Sequence, residues 1–143
     1  MSENTDIRHR GAPGSRGRTA IADVVVEKIA GMAARDVPGV HALGSGFARS
    51  MGTMRERMPG AGSGKSVTRG VSVEVGELQA AIDLEIVVDY GVPITDVAGE
   101  VRENVISAVE RMAGREVVEV NITVSDVKLP DEEDEGEEPQ RIQ

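Results

Sequence analysis

Apolar and polar positions alternate at two different periods along this chain, and the changes of period predict its elements. Ile21, Val25, Ile29, Met32 and Ala33 follow one another at steps of three and four, which places them on one helical face. The spacing predicts an amphipathic helix over 19–36, with Thr19 as its N-cap. Pro38 and Gly39 end it, because proline denies the residue before it a helical conformation. Val40–Leu43 then reads as a short strand. Val71, Val73 and Val75 alternate with Ser72 and Glu74, the period of a strand with one wet face. After a Gly76–Glu77 turn, Ile82, Leu84, Ile86, Val88 and Tyr90 alternate with Asp83, Glu85 and Asp89, so the two runs form a hairpin. Pro93 opens a helix over 93–113 whose expected buried stripe is Ile94, Val97, Val101, Val105, Ala108 and Met112, with Gly114 placed to end it. In the last strand Val118, Val120, Ile122 and Val124 alternate with Glu119, Asn121, Thr123 and Ser125.

Every predicted strand is apolar on one face only, so both helices must cover the same side of one small sheet. The expected fold is α/β in the α+β sense. It has two layers, two helices on one face of a mostly antiparallel sheet, in the order α-β-β-β-α-β. Val25, Ile29, Ile86, Val88, Val101, Val105, Val120 and Ile122 are expected in its core, and Asp83, Glu85, Asn121 and Thr123 on the opposite face. The domain spans 19–129. A disordered basic arm precedes it over 1–18, and a disordered acidic tail follows over 130–143.

Residues 44–69 break the pattern and are expected to be a mobile segment rich in Gly, Met and Arg. Phe47, Met51, Met54 and Met58 recur at helical spacing there, beside Arg49, Arg55 and Arg57. These seven residues are the candidate partner contact. Methionine's flexible thioether repacks against varied surfaces, and the arginines attract acidic ones. The same stripe also suits a short helix laid on the core.

Charge sharpens this division. Residues 1–69 carry 11 basic and 6 acidic groups, residues 70–143 carry 5 and 19, and the whole chain has a formal charge of −9. Such acidity repels nucleic-acid phosphates and anionic membrane surfaces. The absence of cysteine removes disulfides and thiolate metal sites, and Phe47 and Tyr90 are too few to stack bases or flat cofactors. No apolar run is long enough to span a bilayer, and the first 17 residues do not resemble a secretory signal, so a cytoplasmic protein is expected.

Candidate chemistry is sparse. Gly60 to Ser66 superficially resembles a phosphate-binding loop, but Pro59 stands where its first glycine belongs, and the stretch leads into a strand instead of a helix. Asp83 and Glu85 share one strand face about 7 Å apart, but on a wet face nothing splits their proton affinities for acid–base work. His41 has no nucleophile motif and no neighbouring metal ligand in the sequence. No catalytic residue, metal or cofactor is expected.

Three stretches carry a wider likeness: Ile21–Val40 (IADVVVEKIAGMAARDVPGV), 70–94 (GVSVEVGELQAAIDLEIVVDYGVPI) and 101–127 (VRENVISAVERMAGREVVEVNITVSDV). The most specific part is Asp89-Tyr90-Gly91-Val92-Pro93 followed by Val117 to Ile122. The chain resembles the alkaline-shock-protein family of Gram-positive envelope stress response proteins. That resemblance implies a non-enzymatic cytoplasmic scaffold that self-associates into homo-oligomers. It also implies peripheral placement at the cell membrane through a small membrane-anchored partner, without direct membrane insertion. The alternative reading is a small KH-like nucleic-acid-binding module. The acidic sheet face and the lack of a Gly-x-x-Gly turn between helices argue against it, so nucleic acid is not an expected partner.

Overall fold

The computed structural model describes residues 12–44 and 68–132. Six elements make the domain: α1 (Asp23–Arg35), β1 (Val40–Leu43), β2 (Val71–Val75), β3 (Gln79–Asp89), α2 (Ile94–Ala113) and β4 (Glu116–Lys128). The two helices lie on one face of the sheet and share its core, as the one-sided strands require.

β3 is the central strand. β4 runs parallel to it along its whole length, from Gln79↔Glu116 to Asp89↔Lys128, and so occupies one edge. β1 pairs with Ile86–Val88 and β2 with 80–84, both antiparallel. Since a strand has two edges, β1 and β2 share the other edge of β3, lying end to end. The parallel β3–β4 pair needs a crossover, and α2 supplies it. The sheet is thus antiparallel at two pairings and parallel at one.

α2 buries Val97, Val101, Val105, Val109 and Ala113, each four residues after the last. This corrects the expected stripe. Ile94 and Met112 are exposed and Ala108 is only half-buried, while Val109, not foreseen, is fully buried. Gly114 closes the helix with φ +69°, and its N–H donates to the Glu110 carbonyl at 3.1 Å.

α1 departs further from expectation. It begins at Asp23, with Ala22 and not Thr19 at its N-cap and no side-chain capping bond. Asp23 in the first turn and Arg35 in the last complement the helix dipole. Its inner face is Val26, Ala30, Ala33 and Ala34, continued by Val37; Val25 and Met32 are exposed and Ile29 is half-buried. Val24-Val25-Val26 offers two adjacent apolar stripes. The one that continues into small alanines faces inward, where small side chains let α1 come close to α2. Asn104 of α2 marks that approach by donating its Nδ2 to the Ala33 carbonyl at 2.8 Å.

The β3 register is as expected, with Ile82, Leu84, Ile86 and Val88 inside and Asp83 exposed on the other face. The strand ends at Asp89, so Tyr90 falls in the following turn and is 67 % exposed instead of buried. In β4 the pairing slips between Ala80↔Val117 and Ala81↔Glu119, which leaves Val118 as the extra residue of a bulge. Val117 is therefore buried in its place and Val118 is exposed. Val120 is buried, and Ile122 and Val124 are half-buried against the core.

Candidate functional site

The seven residues Phe47, Arg49, Met51, Met54, Arg55, Arg57 and Met58 lie outside the described residues. What is described is the point where their segment joins the sheet. Gly44, which follows β1, donates its N–H to the Glu85 carbonyl at 2.6 Å, and the Glu85 N–H donates to the Gly70 carbonyl at 2.9 Å. One residue of β3 therefore holds both ends. Gly70 has φ +79°, and a Cβ there would stand 2.4 Å from the Gly44 nitrogen. Only glycine fits that contact. The segment is an insertion into a single edge line of the sheet, an arrangement the sequence did not disclose because β1 and β2 are separated by it.

The uncovered face of the sheet is polar around Asp83 and Asn121, but Val87, which alternates with the inward-facing Ile86 and Val88, is buried outside the main core, so β3 is not apolar on one face only. Asn121 Nδ2 lies 3.0 Å from Asp83 Oδ1 and 3.0 Å from Glu119 Oε2, bridging two carboxylates. Asp83, Asn121 and Glu119 are all exposed. Among the described residues no group of three His, Cys, Asp or Glu side chains could hold a metal ion. His41 Nδ1 lies 3.4 Å from Asp89 Oδ1, a pairing created by the β1–β3 contact and invisible in the linear sequence.

Two groups of α2 reach the main chain of β4. Glu110 Oε2 accepts from the Val117 N–H at 3.0 Å, and Arg102 Nε donates to the Val120 carbonyl at 3.1 Å. The neighbouring Glu116 N–H goes to Leu78, so Val117 points away from β3. α2 thus closes the start of an edge that could otherwise pair with another strand.

Part of the exposed apolar surface is on the helices. A groove of about 420 Å³ runs between α1 and α2, lined by Ile29, Met32, Ala108 and Met112 with Lys28, Asp36 and Arg111 at its sides. Met32 is 52 % and Met112 64 % exposed. These are residues that periodicity assigned to the core. Each helix carries a second apolar stripe beside the buried one, and the two stripes meet outside.

A model of the Asp23 family, described by a cell envelope-related function, matches residues 12–129. The chain belongs to this family. Its label has no connection with residue 23 here. Among curated proteins, the Asp23-family chain is 33 % identical over 117 residues to the stress response regulator gls24 homologs of Streptococcus pyogenes serotypes M3 and M1. That alignment covers 82 % of this chain and 62 % of each relative, so the chain spans under two thirds of their length. It is 31 % identical over 129 residues to YqhY of Bacillus subtilis, covering 90 % of both chains. No solved structure matches. The family match agrees with the alkaline-shock resemblance; the family is described as cell envelope-related, and the streptococcal relatives are named stress response regulators. Among the described residues no helix is long and apolar enough to cross a membrane.

Proposed function

We propose that this protein is a non-enzymatic scaffold of the envelope stress response, which acts in the cytoplasm by self-association. A small membrane-anchored protein partner recruits it to the cytoplasmic face of the cell membrane. The observation that supports this reading is the family match, which runs through the whole domain from 12 to 129. The relatives' names point to regulation of stress response rather than to an enzyme. A protein that works by contact needs surfaces: the exposed groove between the helices is one, and the segment with Phe47 and its methionines is proposed as a second. The uncovered sheet face suits neither nucleic acid nor an anionic membrane, because its side chains include Asp83, Glu85 and Glu119.

Fractionation of cells under envelope stress tests the proposal. The protein is expected in the membrane pellet and is expected to leave it with detergent. Recovery wholly in the supernatant, stressed or not, would contradict recruitment. Replacing both Met51 and Met54 with Glu is expected to leave the domain folded and to lower recruitment or assembly.

A further inference from the structure

The groove between α1 and α2 has a symmetry that its individual residues do not show. Lys28 and Met32 on the outer flank of α1 and Asp36, the helical C-cap residue that follows it, stand at intervals of four, and all three line the groove. Four residues advance a helix by about 6 Å, so Lys28 and Asp36 lie on one side about 12 Å apart, with Met32 midway. The α1 side of the groove is therefore a cation, an exposed thioether and an anion at equal spacing, and Arg111 of α2 adds a second cation. Neither Lys28 nor Asp36 has an ion-pair partner among the described residues.

A partner helix of one charge sign would satisfy only half of this pattern. A second copy of the same chain satisfies both charges that α1 presents. A two-fold axis through Met32, perpendicular to α1, runs the two α1 helices antiparallel and lays Met32 on its counterpart. It also brings Lys28 of each copy to Asp36 of the other. This is the self-complementarity that an isologous contact demands. Ala108 and Met112 widen the apolar centre, so that the two charge pairs sit at its rim, where water weakens them but where they still set orientation.

We propose that the α1/α2 groove is the face on which two copies of this chain dimerise, with Met32 at the two-fold axis and Lys28 paired to Asp36 across it. The proposal rests on the self-associating part of the function above and names its contact.

Charge reversal tests both the face and its symmetry. The full chain and the variants Lys28→Glu, Asp36→Lys and their double combination are compared by sedimentation velocity across concentration, with circular dichroism confirming that each folds. The wild type is expected to dimerise. In either single variant both symmetric pairs become like-charged, and the dissociation constant is expected to rise on the order of 10- to 100-fold. Combining both reversals in one chain is expected to restore dimerisation. Mixing the two single variants in equal amounts is expected to restore it too, as a heterodimer. A dimer insensitive to every reversal would overturn this contact while leaving self-association standing. A wild type that stays monomeric at every concentration would overturn both. Loss of dimer in the singles without rescue in the double or in the mixture would overturn the two-fold pairing.

Discussion

Two surfaces of this domain meet water and are chemically opposite. The uncovered face of the sheet presents Asp83, Glu85, Asn121 and Thr123, and its one bridging donor, Asn121, sits between two carboxylates. The outer groove of the helical layer presents Met32 and Met112 beside the cations Lys28 and Arg111 and the anion Asp36. At a net charge of −9 two copies repel each other at long range. Physiological salt limits that repulsion to about 8 Å, so a small apolar patch with charges of both signs can still join them, whereas an acidic face cannot. Burial therefore does not separate the two surfaces; the sign and symmetry of their charges do.

The largest expected effect lies directly beneath the groove. Val105 is fully buried in the α2 stripe. Val105→Asp puts an unpaired carboxylate into the core at a cost of about 3–5 kcal/mol, and the thermal transition should be lost or shifted far down. Met32→Asp, on the outer flank of α1, should keep a cooperative transition near that of the wild type. Similar losses in both would mean that Met32 belongs to the core after all. Next in size is the junction on the sheet edge. Gly70→Ala meets both the positive φ and the Gly44 backbone, and should destabilise by about 1–3 kcal/mol in urea unfolding. An unchanged midpoint would show that β1 and β2 do not meet at Glu85.

The outline of this fold was legible in the sequence because the strands alternate cleanly. β1 and β2 fall at the expected residues, and the β3 faces sort as their polarity demands. The helices were harder, for one shared reason. Ile29, Met32, Ala108 and Met112 keep helical spacing with the core and were assigned to it, yet periodicity gives a direction only to within one residue step of about 100°. Which of two neighbouring stripes turns inward depends on how closely the helices approach, and Ala30, Ala33 and Ala34 decide that through their small size. The bulge at Val118 was illegible for a similar reason, since it depends on the register with β3. The groove was hidden by the same error that misplaced the stripes. The Phe47 to Met58 contact, by contrast, rests on sequence alone, because its residues fall outside those described.

Smaller effects sharpen the contrast at the sheet. Arg102→Ala removes the donor to the Val120 carbonyl and should cost about 1 kcal/mol, with faster aggregation on heating as the β4 edge opens. If neither changes, α2 does not guard that edge. Least of all is expected from the acidic face. Asn121→Ala removes two exposed hydrogen bonds and should move stability by no more than about 0.5 kcal/mol, without altering the oligomeric state. A change in assembly there would transfer the contact from the helices to the sheet.

The absence of native cysteine allows the two surfaces to be compared in one experiment. Met32→Cys and Asp83→Cys each introduce a single thiol, one in the groove and one on the acidic face. The measurement is the yield of covalent dimer when each purified variant is treated with a short thiol-specific cross-linker. Rapid, concentration-dependent dimer formation through position 32 and little through position 83 is the predicted result. Equal yields, or a higher yield through position 83, would contradict the assignment of the helical groove as the face that joins copies of this protein.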